Sequence, residues 1–320
     1  MNIEDRIKYY LGDLKEEYKK NFHKYVKKYG CDKVNIIELF KEENIYQNNK
    51  KYIYRNYYLH LKNLLLILKN SNYNFKCQNI HFMYGDYNKN EEDILYICKT
   101  RVKSSKNIIL NLNFNRHWDL YYKLFKKGDI KFINKNDKII WRGSTTGIEK
   151  SLGNRFNLVK KYFYHYNRCK FIDIAFSKNS KINSRDIVGI TKGKEKYMKL
   201  VRQSYSMEEL LSSKFLICIE GNDVASGLKW MLLSNSVVIM PRPKISSWLM
   251  EFNLIPWVHY VPLSDDFHDV LIMYKWCLKN FKKCELIAKK STEYMLQFSD
   301  INKEKEIEIE VLKRYLEFIE

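Results

Sequence analysis

Two short stretches of this chain gather the kinds of group that hold phosphate oxygens. The first is KFLICIEGNDVASGLKWMLLSNSVVIM, Lys214–Met240. Its pattern is an apolar strand, a tight polar turn at Gly221-Asn222-Asp223, a helix and a second buried strand. In open α/β sheets, ligands sit at the carboxyl ends of strands, where helix N-termini present free N–H groups to anions. Gly221 lets the chain turn tightly, and Asn222 or Asp223 is expected to cap the helix. The spacing is neither a Walker A loop nor G-x-G-x-x-G, so a plain capped strand–helix–strand unit is the competing reading. The second stretch is Ile139-Ile140-Trp141-Arg142-Gly143-Ser144-Thr145-Thr146-Gly147. It supplies a guanidinium, hydroxyls and flexible backbone amides in one small arc, a set suited to diphosphate oxygens. Arg155, at the start of the next predicted helix, is placed to reach the same anion. An ordinary strand-to-helix turn with a surface Arg competes here too, but two such turns in one lobe tell more than either alone.

The elements that must carry these turns alternate. Strands are predicted at Lys138–Trp141, Phe171–Ala175, Phe215–Ile219 and Val237–Met240. Helices are predicted at Arg155–Tyr166, Met207–Ser212 with Ser206 as N-cap, Ala225–Leu233 and Phe267–Lys279. Alternating strands and helices imply parallel pairing in an open α/β sheet. Upstream, a charged helical stretch is expected over roughly 4–29. A stronger helix near 50–70 should present Tyr54, Tyr57, Tyr58, Leu61, Leu64, Leu65 and Leu68 on one face. Short strands follow at Ile80–Tyr84, Ile94–Ile97 and Ile108–Leu112, and a last helix spans Glu304–Glu320. A linker near 125–137 separates two lobes. All four prolines (Pro241, Pro243, Pro256 and Pro262) fall in one late segment, whose loops are therefore constrained.

Composition narrows the classes. With 320 residues and 45% hydrophobic content the chain can build a full core, which excludes wholesale disorder. Only 11 Gly and 4 Pro argue against a many-turned β-sandwich. No apolar run approaches the roughly 18 residues of a membrane span. The charged N-terminus shows no apolar signal region, so a cytoplasmic protein is expected. Fifty-seven Lys plus Arg against 37 Asp plus Glu leave a net charge of +20. That surplus attracts polyanions, anionic membrane surfaces or phosphorylated small molecules. Lys, Asn, Ile and Tyr are inflated together, as biased codon usage would produce, and no block of five or six basic residues appears. The seven cysteines form no C-x-x-C pair and the seven His no metal-ligand spacing, so no metal site is expected.

WRGSTTG, the downstream NRFNLV and FIDIAFSK, and the EGNDVASGLKW block resemble glycosyltransferase family 90. This is the capsule-associated and lipopolysaccharide-modifying family that includes the animal protein O-glucosyltransferases. The similarity continues through SNSVVIMP, SWLMEFNLIPWVHYVPL and DDFHDVLIMYKWC, and upstream through FMYGDY, CKTR and NLNFNRHWD, covering roughly residues 78–300. It looks closest to the microbial branch. The resemblance implies a GT-B architecture, two Rossmann-like lobes with parallel sheets and an interlobe cleft. Residues 1–130 would form the acceptor-side lobe with a helical extension, 131–300 the nucleotide-sugar lobe, and 301–320 a C-terminal helix. It further implies a UDP-sugar donor (glucose or xylose type), inversion at the anomeric carbon and no metal or other cofactor; the sequence has no D-x-D motif.

By the same resemblance Ser144 and Arg155 match donor-binding positions. Asn222, Asp223, Val224, Ala225, Ser226 and Gly227 fall on the loop and helix start that cradle the donor. Animal members carry Arg where this chain has Gly227, so the diphosphate contact must come from elsewhere: Arg142, Lys229 or a backbone amide. Their catalytic base, an Asp ahead of the helix near 50–70, has no counterpart, because no Asp lies between Lys33 and Gly85. Glu38, Glu42 and Glu43 are the carboxylates of that stretch. Asp86, at a predicted strand end, is the expected base, with His117 a weaker candidate. The expected activity is sugar transfer to a hydroxyl of a glycan, glycolipid or capsule or lipopolysaccharide acceptor, in the cytoplasm or peripherally at an anionic membrane face. A glycan-binding relative with weak catalysis, or a basic nucleic-acid-binding protein using aromatic stacking, are the rival readings.

Overall fold

A computed structural model describes residues 1–14, 31–41, 55–84, 95–112, 128–147, 153–178 and 195–320. In chain order its elements begin with α1 (Ile3–Leu11), β1 (Cys31–Asn35), α2 (Ile36–Lys41), α3 (Arg55–Asn70) and β2 (Asn79–Met83). Three two-residue strands follow: β3 (Ile97–Cys98), β4 (Arg101–Val102) and β5 (Ile108–Ile109). Then come β6 (Asn136–Gly143), α4 (Arg155–Tyr162), α5 (His165–Arg168), β7 (Ile172–Lys178), β8 (Val201–Gln203), α6 (Met207–Leu211) and β9 (Ser213–Ile217). The chain continues through α7 (Leu228–Leu233), β10 (Val237–Pro241), β11 (Ile245–Ser246) and β12 (Val261–Leu263). It ends with α8 (Val270–Lys279), α9 (Phe281–Leu296) and α10 (Ile301–Ile319).

The chain divides into two compact units. The first joins Met1–Arg116, Lys244–Phe252 and Gln297–Glu320, and the second joins His117–Pro243 and Asn253–Leu296. The division differs from a cut near residue 130, since α10 belongs with the N-terminal residues. In the first unit, α3 buries Tyr57, Tyr58, Leu61, Leu64, Leu65 and Leu68, the face its periodicity predicts. Helix α10 answers with Ile307, Val311, Leu312, Tyr315 and Leu316. The sheet here runs β1-β2-β3-β5. It is mixed, not parallel as expected, because β1 pairs antiparallel with β2 through Val34↔Ile80. The polar string Cys-Asp-Lys-Val-Asn gave no strand signal; it sits at the sheet's edge, where a half-solvated strand needs little apolar content.

One ion pair closes this unit. Arg6 of α1 is buried and meets Glu304 of α10 in a bidentate contact, 2.5 Å on each arm. The same guanidinium donates to the Tyr10 hydroxyl at 2.9 Å and lies 4.6 Å from the centre of the Phe298 ring. Tyr10 in turn donates to the Trp248 carbonyl at 2.6 Å. Three distant stretches of sequence thereby share one buried charge pair.

The second unit holds a six-stranded, all-parallel sheet in the order β12-β10-β9-β6-β7-β8. Its central strands read as continuous apolar runs because both faces are covered: Val237, Val238, Ile239 and Met240 are all buried. Helix α6 opens with Ser206 as N-cap, as expected, and the structure adds a full capping box: the Ser206 hydroxyl accepts from the Glu209 amide while Glu209 accepts from the Ser206 amide. The short strands β8 and β12 escaped the sequence reading. Pro262 at the centre of β12 removes a ladder donor, which suits its place at the sheet edge. The chain enters at β6, winds outward to β7 and β8, then crosses back to β9 on the other side of β6 and winds outward to β10 and β12. The carboxyl ends of β6 and β9 are therefore a topological switch point, where diverging connections leave a crevice.

Among the described residues no helix is long and apolar enough to cross a membrane.

Glu304→Ala would leave Arg6 charged and buried without its partner. Urea unfolding should show a loss of about 3–5 kcal/mol. Replacing both residues by Met should recover most of that loss.

Candidate functional site

The two phosphate-type turns follow β6 and β9, the strands flanking the switch point. Leaving β6, the chain passes close over the Trp141 indole. A Cβ on Gly143 would meet Trp141 Cζ2 at 2.7 Å, so only glycine fits there. The turn then presents Ser144, Thr145 and Thr146 and ends at Gly147, whose φ of +106° favours glycine.

Arg155, the first residue of α4, reaches back across both turns. The helix is capped by Asn154, which accepts from the Asn157 amide at 2.9 Å, and this fixes where Arg155 starts. From there Nη1 donates to Thr146 Oγ1 at 2.6 Å, Ser144 Oγ at 2.9 Å and the Ser144 carbonyl at 3.3 Å. On the β9 side, Nε donates to the Glu220 carbonyl at 3.2 Å and Nη2 to the Ile219 carbonyl at 3.3 Å. Gly221 leaves the necessary room, since a Cβ there would lie 2.8 Å from both Arg155 Nη2 and Thr146 Oγ1. A second tie runs from the Gly147 amide to Asn222 Oδ1 at 2.8 Å. Among the described residues every hydrogen-bond acceptor of the Arg155 guanidinium is a neutral oxygen, and its flat face lies 6.0 Å from the centre of the Trp141 ring. Burial pushes its pKa below the ordinary value, yet an arginine keeps its proton in proteins. The result is a positive charge in a partly dry site with no carboxylate among the described residues to balance it.

That charge lines a cavity of about 410 Å3, walled by both turns and by the start of α7. Of the sequence-predicted residues, Arg142, Ser144, Arg155, Ala225, Ser226 and Gly227 line it. Asn222, Asp223 and Val224 lie in the adjoining turn, where Asn222 serves the other turn as described. Asp223 accepts from the Val224 amide through its carboxylate at 2.8 Å and from Gly221 through its carbonyl at 2.9 Å. Lys229 is buried in α7 and does not line the cavity. The expected cap is corrected here: α7 begins only at Leu228, with Gly227 as N-cap and no side-chain cap bond. Residues 222–226 are spent on a turn closed by backbone bonds, so Asn222 and Asp223 stand too early to cap.

Arg142 lines the cavity but its guanidinium fork is already used. It pairs with Asp173 at 2.6 Å, donates to the carbonyls of Trp141, Asp173 and Gln203, and stacks 4.7 Å from the Tyr205 ring centre. Asp173 has no exposed side-chain surface and also accepts from Arg202 at 3.0 Å and from the Tyr205 hydroxyl at 2.9 Å, with Lys138 at 3.6 Å. Burial opposes its charge, but Arg142 and the further donors outweigh burial and hold the carboxyl below the usual range. Sequence reasoning passed over Asp173. The available signal was a lone Asp inside the apolar strand FIDIAF, since a carboxylate there must be paired. Asp86, Glu42, Glu43 and His117 lie outside the described residues, and Glu38 is exposed on α2. Among the described residues no group of three or more His, Cys, Asp or Glu side chains could hold a metal ion.

The sequence profile of glycosyl transferase family 90 matches residues 93–320, and so takes in both turns and the whole switch point. The chain belongs to glycosyl transferase family 90. A bacterial relative, the O-glucosyltransferase LpsA of Dichelobacter nodosus, is 27% identical over 219 residues, covering 68% of this chain and 60% of LpsA. Protein 179R of Invertebrate iridescent virus 6 is 23% identical over 48% of this chain and 15% of its own length. Protein 027R of Frog virus 3 is 33% identical over 93 residues, 28% of this chain and 10% of its own. The chain thus spans three-fifths of the bacterial relative and a small part of the viral ones.

Two outcomes follow for this family 90 site. Gly221→Ala should displace the Arg155 fork and destabilise the fold by about 1–3 kcal/mol in chemical unfolding. Asp173 has a depressed folded pKa, so its contribution is present above the ordinary Asp value of about 3.9 and fades as pH falls through the folded value. Wild-type stability should therefore drop below about pH 4 by more than that of Asp173→Asn. The variant itself should start about 3–5 kcal/mol lower at neutral pH, with its arginines left unpaired.

Proposed function

We propose that this chain is an inverting, metal-independent glycosyltransferase of GT-B type that uses a UDP-sugar of the glucose or xylose kind. The acceptor is a hydroxyl on a glycan, a glycolipid, or a capsule or lipopolysaccharide precursor. The observation that carries this reading is Arg155: a guanidinium balanced only by neutral oxygens, facing a cavity at the switch point of a parallel sheet. A diphosphate supplies the missing negative charge there, and the Ser144 hydroxyl, which lines the cavity, supplies a donor for one of its remaining oxygens. Family membership and the glucosyl transfer to oxygen named for LpsA support the reaction class.

In the reaction a carboxylate takes the proton of the acceptor hydroxyl as its oxygen attacks the anomeric carbon from the face opposite UDP. The bond from that carbon to the diphosphate oxygen breaks, and the electron pair leaves on UDP. Arg155 stabilises that developing charge, which is why its own charge is better left without a carboxylate partner. Asp86 is the proposed base, with Glu42, Glu43 and His117 as the residues to test if it fails.

UDP should raise the melting temperature and bind in calorimetry with excess chelator present; binding that needs manganese would sink the metal-independent reading. Arg155→Ala should weaken UDP-sugar binding by about 1.5–3 kcal/mol and Ser144→Ala by about 0.5–1.5 kcal/mol. Asp86→Asn should lower turnover at least about 10²-fold with UDP affinity nearly intact. Full activity in Asp86→Asn together with loss in Glu42→Gln or Glu43→Gln would move the base to the earlier segment.

A further inference from the structure

The connection entering β12 carries Ile255-Pro256-Trp257-Val258, and it shows three large apolar side chains to solvent. Ile255 is 53% exposed, Trp257 46% and Val258 37%. The loop is not slack. Trp257 donates its amide to the Tyr260 carbonyl at 2.8 Å, and the Val258 and His259 amides both donate to Ile255, at 3.2 and 2.9 Å. The Ile255 amide donates to His259 Nδ1 at 2.9 Å. These bonds hold Trp257 at a φ of +65°, a left-handed conformation that a bulky residue adopts only where its surroundings enforce it. The indole packs edge-on against Trp276 of α8, with ring centres 4.8 Å apart. A tryptophan is thus fixed in a strained turn and still half presented to solvent.

Helix α8 extends the same surface. Ile272, one turn before Trp276, is 58% exposed, and Lys275 and Lys279 are exposed as well. At about 100° per residue these three positions lie within roughly 100° of arc to one side of Trp276. Helix α8 carries no acidic residue. Asp266 and Asp269, ahead of its start, are engaged by His268 and Ser264. The surface is therefore an apolar tip with lysines alongside, on a chain of net charge +20.

We propose that this surface docks the protein on an anionic lipid bilayer. Ile255, Trp257, Val258 and Ile272 enter the interface, and Lys275 and Lys279 meet the headgroups. Tryptophan is favoured at the boundary between headgroups and acyl chains, and neighbouring lysines add attraction to anionic lipid. Charge complementarity selects the bilayer as occupant: the lysines stand beside the apolar tip, whereas the centre of a protein interface is depleted of charge.

Vesicle flotation tests this with the full chain. The wild type should float with phosphatidylcholine–phosphatidylglycerol vesicles and more weakly with phosphatidylcholine alone, and its tryptophan emission should move to shorter wavelength. The pair Ile255→Ser with Trp257→Ser leaves the net charge unchanged and should weaken partition by about tenfold or more. Lys275→Glu with Lys279→Glu, on an exposed helix face that does not endanger the fold, should do the same at low salt, and its difference from the wild type should shrink in high salt. No flotation by the wild type would overturn the proposal. Undiminished flotation of the serine pair would overturn it too, by showing that net charge alone drives binding. Self-association without vesicles that the serine pair abolishes would instead assign the surface to a second copy of the chain.

Discussion

A guanidinium with no carboxylate partner among the described residues is costly to place in a partly dry site, and the second unit is arranged around one, Arg155. Arg155 ties the turn after β6 to the turn after β9 with five donor contacts, all to neutral oxygens. Those contacts engage all three guanidinium nitrogens but leave its charge in place, because carbonyls and hydroxyls offer only partial negative charge. Gly143, Gly147 and Gly221 are each required by that arrangement, two for space and one for its backbone angle. A carboxylate partner would satisfy the same N–H groups and would also cancel the charge on which the proposed diphosphate contact rests.

Several other enclosed cations make the contrast. Arg6 has Glu304, Lys135 has Asp129, Lys214 has Asp137, and Arg142 shares Asp173 with Arg202. Arg101 resembles Arg155 in taking only carbonyls, those of Tyr9, Tyr10 and Asn107, and it too is faced by a glycine, Gly12. Arg101, however, is buried under the Tyr9 ring and does not line the cavity that Arg155 faces, so its charge serves the packing of α1. Arg142 differs from Arg155 in having a carboxylate partner, since its fork pairs with the buried Asp173 beside the same cavity.

Much of the second unit was legible in the sequence because parallel strands buried on both faces leave unmistakable apolar runs. WRGSTTG and EGNDVASG stood out for the same reason, as polar turns following such runs. What could not be read was three-dimensional pairing. Nothing local says that Arg142 meets Asp173, thirty-one residues on, or that the Asn222 side chain closes onto Gly147. The cap at Asn222 or Asp223 failed because the polar turn is longer than the minimal one, and backbone bonds consume the groups that capping would need. The antiparallel β1 was missed because an edge strand can afford to be polar. Glu42, Glu43, Asp86 and His117, on which the choice of base rests, fall outside the described residues.

The net charge of +20 also takes on a different weight once its carriers are placed. Many lysines lie on exposed helix faces, which fits the biased composition. The charges that matter are set apart by neighbours rather than by number. Arg155 matters because neutral oxygens surround it beside a cavity. Lys275 and Lys279 matter because they flank exposed Trp257 and Ile272 on a helix with no acid. A nucleic-acid binder of the same charge would need its cations in a continuous stripe interleaved with exposed aromatic faces. Here the tyrosines that α3 buries are core, and Tyr205 is taken up in the Asp173 cluster. The arrangement of partners among the described residues, more than the surplus itself, is what supports the proposed diphosphate over a polyanion.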